Sequence, residues 1–247
     1  MISLKSPEDI AVMREGGRKL ASVLQELQKS VRPGITTKKL DEIAETLIEK
    51  SGAQAAFKGY EKFPGVVCAS VNDEVVHAIP SSRVLKEGDI LTLDIGLIWQ
   101  GFYLDMARTF GVGKISFEAQ RLIRVTKKAM KFGLKKAKAG NTTEDIGNTI
   151  QRYVESQGYN VVRDLCGHGI GKQLHEDPQI PNYGKRHKGE ELKEGMVICI
   201  EPMVTAGDWK LKQSSDKQGF LTRDGSLSCH VEDTIAIMEN SPEVLTE

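Results

Sequence analysis

Leu85-Lys-Glu-Gly-Asp-Ile-Leu-Thr-Leu-Asp94 is matched 107 residues later by Leu192-Lys-Glu-Gly-Met-Val-Ile-Cys-Ile-Glu201. An earlier pair, Gly34-Ile-Thr-Thr and Gly140-Asn-Thr-Thr, recurs at an offset of 106 residues. If Leu-Lys-Glu-Gly were only a common sequence before a strand, it would explain one match but not two in the same order. The nearly constant offset indicates an internal duplication, which decides how the whole chain is expected to fold.

The two halves share one predicted order of helices, turns and strands around the repeated segments. In each half a long helix precedes the Gly-X-Thr-Thr turn, and a second helix follows it and stops at a glycine, Gly52 or Gly158, before strands begin. We therefore expect one α/β (α+β) domain over residues 1–247, with duplicated halves at roughly 1–113 and 114–247 packed about a pseudo-twofold axis. The predicted helices are Ser6 to about Ser30, 36–50, Phe117–Ala139 and Thr143–Ser156, and the predicted strands are Val66–Val71, Glu74–His77, Ile90–Ile95, Phe102–Phe110, Val197–Ile200 and Val231–Met238.

Composition excludes several classes of protein. The 34 basic residues are balanced by 34 acidic ones, which argues against a polyanion-binding protein. The four cysteines form no Cys-X-X-Cys pair, so neither a disulfide framework nor a zinc ribbon is expected. No stretch approaches 18 uninterrupted apolar residues, and no secretory signal opens the chain. We expect a soluble, cytoplasmic protein without a membrane partner.

Carboxylates follow the apolar strands of both halves. Asp94 ends the run Ile90–Leu93, and Asp105 lies past the turn Trp99-Gln-Gly101, so a hairpin would place the two side by side. Glu201 ends the equivalent strand of the second half. An aspartate on its own is more often a salt-bridged or turn-capping residue. Two of them tied to the repeat favour a shared central site, because an unpaired carboxylate among apolar residues is costly.

Two histidines lie in the second half near glycines and acids. His168 stands in Gly167-His-Gly-Ile-Gly171, where glycines let the backbone approach a ligand closely. His175 follows in Leu-His-Glu-Asp-Pro178, but the Pro and Gln179 rule out the His-Glu-X-X-His zinc motif. The two histidines are therefore expected to have separate roles.

The last candidate acid is Glu232 or its neighbour Asp233. The two point to opposite faces of any strand, and Glu232 shares its face with His230 and Thr234, so the pattern alone does not choose between them.

If the candidate acids and His168 converge, four carboxylates and one imidazole surround one cavity. They cannot all remain ionised without cations, and two divalent ions would supply the compensating charge. Such a ligand set suits Mn, Fe, Co or Zn, and paired ions generate a bridging hydroxide for hydrolysis.

A further histidine, His77, lies among apolar residues in Val75-Val-His-Ala-Ile-Pro80. A lone histidine in such a stretch is more often a packed core residue. Beside a hydrolytic centre it becomes a candidate proton donor to the leaving amine or a contact for the substrate backbone.

These residues resemble the type I methionine aminopeptidases of the bacterial kind over nearly the whole chain. The decisive motif is Cys166-Gly-His-Gly-Ile-Gly-Lys-Gln-Leu-His175-Glu-Asp-Pro-Gln-Ile. The resemblance implies the pita-bread fold around a central dinuclear metal site, and it selects Glu232 over Asp233. It implies Asp105 and Glu232 as bridging carboxylates, and His77 and His175 as outer histidines that contact substrate. The implied metal ligands are Asp94, Asp105, His168, Glu201 and Glu232.

The same resemblance implies hydrolytic removal of the initiator methionine from nascent chains with a small second residue, by a monomeric enzyme. Leu165 and Leu174 stand where the family commonly has other residues, and the loop Ala206–Gly219 is hard to align, so the aromatic wall of the methionine pocket is Phe220 or Trp209. The implied substrate-binding residues are His77, His175, Tyr60, Phe63, Cys68, Leu174 and Phe220.

Two alternative functions stay open at this point. One is an X-Pro aminopeptidase or prolidase-like hydrolase on the same fold, although those proteins generally carry a sizeable N-terminal domain. The other is a non-catalytic pita-bread binding protein, although such relatives typically lose metal ligands. A basic cluster, Lys210, Lys212, Lys217 and Arg223, suggests transient ribosome contact, against which stands the simpler interpretation of a solvated loop.

Overall fold

The helices begin where the sequence places capping residues. The computed structural model describes residues 2–247. Ser6 caps the first helix and forms a capping box with Asp9, and Thr142 and Asp145 form the same box on the last. The helices are α1 (Pro7–Gln28), α2 (Thr37–Lys50), α3 (Phe117–Leu134) and α4 (Thr143–Ser156), with a short 3₁₀ turn at Tyr60–Lys62.

Two predicted boundaries were wrong by more than two residues. The helix expected to reach Ala139 ends at Leu134, because the next amides, those of Lys136 and Ala137, bond three residues back rather than four. The strand expected to end at Ile95 continues to Trp99, because it pairs over its full length with the returning strand of its hairpin.

Most strands belong to one large antiparallel sheet. The strands are β1 (Gln54–Ala55), β2 (Val67–Val71), β3 (Glu74–Val76), β4 (Ile90–Trp99), β5 (Phe102–Gly111), β6 (Asn160–Val161), β7 (Cys166–Gly169), β8 (Glu176–Pro181), β9 (Val197–Ile200), β10 (Met203–Thr205), β11 (Leu211–Gln213), β12 (Phe220–Thr222), β13 (Ser228–His230), β14 (Glu232–Ala236) and β15 (Glu243–Val244). The central path of the large sheet runs β1-β4-β5-β14-β9-β7-β8, with β2 paired to β4 and β15 to β14, and its neighbouring strands are antiparallel.

The repeated segments make the same backbone contacts in both halves. The Gly34 amide donates to Leu85, and the Gly140 amide donates to Leu192. Gly88 and Gly195, the glycines of the two Leu-Lys-Glu-Gly copies, have φ of +94° and +86°, a conformation that side chains disfavour. The repeat therefore marks one folding unit used twice, in which a Gly-X-Thr-Thr turn supports the strand that follows the second glycine.

Helices cover the sheet through two apolar cores. On β9, Val197 and Cys199 join the core under α1 and α2, whereas Ile198 and Ile200 join the core under α3 and α4. This alternation follows from the two-residue period of a strand with both faces buried. Truncating a fully buried residue such as Leu20 to Ala would cost about 2–5 kcal/mol. Within residues 2–247, no helix combines the length and apolar character needed to cross a membrane.

Candidate metal centre

Five neighbouring strands each bring one candidate ligand to the same place. In sheet order these strands are β4, β5, β14, β9 and β7. The register pairs Asp94 and Glu232 with the same residue of β5, Ala107, from its two sides. The candidates are Asp94 on β4, Asp105 on β5, Glu232 at the start of β14, Glu201 directly after β9, and His168 on β7. Residues distant in sequence thus converge because their strands are adjacent.

The four carboxylates are buried but incompletely hydrogen-bonded. Their residues are between 2% and 9% exposed. Asp94 Oδ1, Asp105 Oδ1 and Glu232 Oε1 have no hydrogen-bond partner among the described residues. Buried polar groups are normally paired, and an unpaired one costs about 1–3 kcal/mol. These oxygens therefore require partners that the protein itself does not supply.

The acids also disfavour one another's charge. Burial raises the pKa of Asp94 to about 7. Burial, reinforced by the neighbouring carboxylates, raises the pKa of Asp105, Glu201 and Glu232 well above the usual range. Cations between the carboxylates would remove this penalty, so the donor set fits divalent metal ions.

His168 is oriented as a metal ligand would be. Its Nδ1 lies 2.9 Å from the carbonyl oxygen of Gly169, to which it donates when the ring is neutral. Burial lowers the pKa of His168 to about 3, so the neutral form prevails. Nε2 then presents its lone pair to the acids, 3.6 Å from Glu201 Oε1 and 3.9 Å from Glu232 Oε1. A ligating histidine commonly uses its second nitrogen in this way.

The two outer histidines lie beside this group. The rings of His168 and His175 meet edge-on with centroids 4.4 Å apart, and Tyr60 Oη lies 2.8 Å from His175 Nδ1. His77 adopts a left-handed backbone conformation with φ of 59°. Burial lowers the pKa of both His77 and His175, so each is a neutral imidazole at physiological pH and presents one donor and one acceptor nitrogen.

One cavity of about 830 Å³ contains all seven of these residues. Its apolar wall includes four of the five pocket residues that the sequence singled out, namely Tyr60, Phe63, Cys68 and Leu174. Sequence reasoning did not single out the apolar residues Phe57, Val76 and Met203, which also line it. No motif marks these three, because each lies in an apolar stretch that reads as ordinary core.

The fifth pocket residue, Phe220, lies outside the cavity lining. It packs edge-on against His77, with centroids 6.2 Å apart, in a small cluster with Val75, Val76, Val162 and Met203. The alternative wall, Trp209, also lies outside the lining and stacks against Arg163. The pairing of β12 with β3 sets Phe220 opposite Val76, so it supports cavity-lining residues without lining the cavity itself.

His230 is a further cavity residue that the sequence did not assign. It is 1% exposed and lies close to Glu201 and Glu232. Burial lowers its pKa to about 3. A signal was available in the alternation of an extended chain: residues 230 and 232 share a face, so the presence of Glu232 in the site could have pointed to the histidine two residues before it.

With this geometry established, comparison with known proteins identifies the family. Residues 11–239 match the model of Metallopeptidase family M24. A methionine aminopeptidase of Clostridium acetobutylicum is 50% identical over 247 residues, covering 100% of this chain and 99% of that one. The chain is a methionine aminopeptidase of family M24.

Solved structures confirm the fold of this family member. A methionine aminopeptidase from Thermotoga maritima superposes with a TM-score of 0.98 at 42% identity, covering 100% of both chains. The predicted pita-bread fold is thereby confirmed. A prolidase from Pyrococcus furiosus, 22% identical, superposes with a TM-score of 0.80 over 99% of this chain and 65% of its own, so it shares the fold alone. The relationship therefore favours the methionine aminopeptidase prediction over the X-Pro alternative.

Proposed function

We propose that this aminopeptidase removes the initiator methionine from nascent proteins and peptides with a small second residue, using two divalent ions. One observation supports this most strongly: four buried carboxylates line one cavity with an apolar wall, and three of them have an oxygen without a hydrogen-bond partner among the described residues. Two divalent ions balance four ionised carboxylates, whereas one leaves a buried net charge. When bound, such a pair supplies an activated water nucleophile and stabilises negative charge on the carbonyl oxygen of the scissile bond.

The proposed ligands divide between the two positions by their place in the sheet. Asp94 lies at one end of the row of strands and would hold one ion, whereas His168 and Glu201 lie at the other end and would hold the second. Asp105 and Glu232 lie on the two strands between them and would be shared by both ions. Mn, Fe, Co and Zn all suit oxygen ligands with imidazole.

The outer histidines bind the substrate in this proposal. His175, fixed by Tyr60, donates a hydrogen bond to the carbonyl oxygen of the scissile bond and to the negative charge that develops on it. His77 contacts the substrate backbone and donates a hydrogen bond to the nitrogen of the leaving amine. Both histidines are neutral at pH 7, because burial lowers their pKa, so each has one N–H group to donate in a hydrogen bond and one lone pair to accept one.

Selection of methionine is assigned to the apolar wall. Phe63, Cys68 and Leu174 are at most 7% exposed, so a side chain placed against them leaves water. Tyr60 closes the same wall and contacts His175, which couples the methionine subsite to the proposed carbonyl donor. An unbranched thioether adapts well to such a surface.

We also propose a cellular location and a domain organisation for the enzyme. We place the enzyme in the cytoplasm as a monomer, with one catalytic domain over residues 1–247 built from halves 1–113 and 114–247. Nascent N-termini are its macromolecular partners. In the basic cluster, Lys210 pairs with Asp208 at 3.6 Å and stacks on Trp209. These contacts favour a solvated surface over ribosome contact.

A peptide panel tests this function. The protein, reconstituted separately with Mn, Fe, Co and Zn, is incubated with Met-Gly-X, Met-Leu-X and X-Pro peptides. We expect methionine release from Met-Gly-X, little from Met-Leu-X, and loss of turnover on Asp94→Asn or His168→Ala. The control His187→Ala alters a histidine whose side chain is 77% exposed. Proline-dependent cleavage without methionine preference, or no turnover with any ion, contradicts the proposal.

A further inference from the structure

His230 has a fixed backbone and an unsatisfied ring. Its amide and carbonyl both bond to the Thr109 hydroxyl, at 3.2 and 2.7 Å. The strand that it ends, β13, pairs with β10 through Met203. The side chain is 2% exposed, yet neither ring nitrogen has a hydrogen-bond partner among the described residues. A rigid backbone thus holds a costly unpaired group inside the cavity.

The imidazoles of His168 and His230 face opposite oxygens of the same two glutamates. His168 Nε2 faces the Oε1 atoms, 3.6 Å from that of Glu201 and 3.9 Å from that of Glu232. His230 Nε2 faces the Oε2 atoms, 3.7 Å from each. The Nε2 atom of His230 therefore lies about as far from the two Oε2 atoms as the Nε2 atom of His168 lies from the two Oε1 atoms.

These separations fit shared metal ligation better than hydrogen bonding. An N–H···O bond spans about 2.7–3.2 Å, which 3.7 Å exceeds. Imidazole and carboxylate ligands lie about 2.0–2.2 Å from a zinc-like ion, so two ligands of one ion are about 3–4 Å apart. Asp94, His230 and Glu232 also offer ligand atoms that all lie within 4.8 Å of one another. This set includes Asp94 and does not include His168.

We propose that His230 is a sixth protein ligand of the metal centre, binding through Nε2 to the ion that Asp94 and Glu232 hold. Each ion then has one imidazole, His168 for one and His230 for the other. The inference rests on the proposed two-ion function. The nitrogen ligand shifts the preference of the Asp94 position from Mn toward Co and Zn, because imidazole suits the later metals better than an all-oxygen site does.

X-ray absorption of the cobalt-loaded protein counts the imidazoles directly. At two equivalents of Co²⁺ we expect one imidazole for each cobalt in the wild type, and half that number in His230→Gln and in His168→Gln. Loss of an outer contact costs about 10–100-fold in metal affinity, so calorimetry should show that His230→Gln loses more than about 100-fold in Co²⁺ affinity at one position. Affinity for Mn²⁺ should fall less. His187→Gln, which alters an exposed histidine, should match the wild type.

The outcomes separate the inference from the function it rests on. If the wild type binds two ions and His230→Gln retains its imidazole count and affinities, the ligation is refuted and the two-ion function stands. If the wild type binds no second ion, the two-ion function itself fails. Should His230→Gln not fold, nitrogen-15 histidine spectra of the zinc-loaded wild type decide. Two ligated imidazoles support the inference, and one overturns it.

Discussion

Tyr60 Oη lies 2.8 Å from Nδ1 of His175, although the two residues are 115 positions apart in the chain. Their rings also meet edge-on, with centroids 5.3 Å apart. If the phenol donates to Nδ1, the proton of the neutral imidazole resides on Nε2, where it is available to a substrate carbonyl. Tyr60 thus selects the tautomer and the orientation of the histidine that we assign to carbonyl binding.

Tyr60→Phe should therefore impair catalysis while leaving metal uptake unchanged. One net hydrogen bond is worth about 0.5–1.5 kcal/mol, so we expect kcat/KM for Met-Gly-X to fall about 2- to 10-fold, mostly in kcat. Steady-state kinetics with calorimetric metal titration measure both quantities. Tyr153→Phe, on α4 outside the cavity, is the matched control. An unchanged kcat would show that the tyrosine does not position His175.

Asp105→Asn should change stability in opposite directions with and without metal. Burial raises the pKa of Asp105 well above its unfolded value, so without metal the folded state binds more protons than the unfolded state. Stability of the metal-free protein then falls as pH rises above about 4. Removing this acid should raise the metal-free Tm at pH 7.5, by about 2–4 °C for each kcal/mol relieved.

Addition of Mn²⁺ or Co²⁺ should raise the Tm of the Asp105→Asn variant by less than it raises the Tm of the wild type. Ligand at 100 times its Kd stabilises a folded protein by about 2.7 kcal/mol, and Asp105→Asn weakens that binding. Thermal unfolding in EDTA and in excess metal gives both numbers, with Glu118→Gln, an exposed acid of α3, as control. A metal-free variant less stable than the wild type would contradict this account of the carboxylate cluster.

Phe63→Leu should reduce discrimination in favour of methionine. Phe63 is 7% exposed and lines the cavity, so its ring is available to pack against a long apolar side chain but not against that of alanine. A methylene-sized change in an apolar pocket alters kcat/KM about 10- to 200-fold. We expect the ratio of methionyl to alanyl peptide cleavage to fall by at least about 10-fold. Phe117→Leu, at a residue 71% exposed, should leave the ratio unchanged. An unaltered ratio in Phe63→Leu would place the methionine subsite elsewhere.

Asp145→Asn should reduce the loss of unfolding free energy as the pH falls below about 4. Although burial opposes it, hydrogen bonds from the His187 and Thr142 amides, together with the Thr142 hydroxyl, lower the pKa of Asp145. A carboxyl whose pKa is lower in the folded state than in the unfolded state adds to the free energy of unfolding. This contribution is fully present above the pKa of the unfolded state, near 4, and is lost as the pH falls through the pKa of the folded state.

Urea unfolding between pH 6 and pH 3 tests this expectation. The wild type should lose stability more steeply than Asp145→Asn below about pH 4, with the two curves converging at the acid end. Asp9→Asn alters the same capping-box position on α1, where the carboxylate accepts from the Ser6 amide but, within residues 2–247, has no counterpart of the His187 amide, and it should change the slope less. Parallel curves for wild type and Asp145→Asn would rule out Asp145 as a source of acid sensitivity.

Much of the fold was predictable from local sequence. The caps at Ser6 and Thr142 predicted the starts of two helices, and α4 ends at Ser156 as expected. These predictions succeeded because capping and periodicity depend on neighbours in the chain. The end of α3 was missed, because the choice between four-residue and three-residue hydrogen bonds near Leu134 depends on where the following loop must go.

For the site, the sequence by itself determined which residue types were available and in what repeated order. The duplication tied Asp94 to Glu201, and the family resemblance added Asp105, His168 and Glu232. Only the tertiary structure decided that five adjacent strands deliver these side chains to one cavity, that Phe220 lies behind His77, and that His230 faces the two glutamates. Local pattern sets which face of a strand a residue occupies, whereas proximity between strands depends on sheet order, which non-local pairing determines.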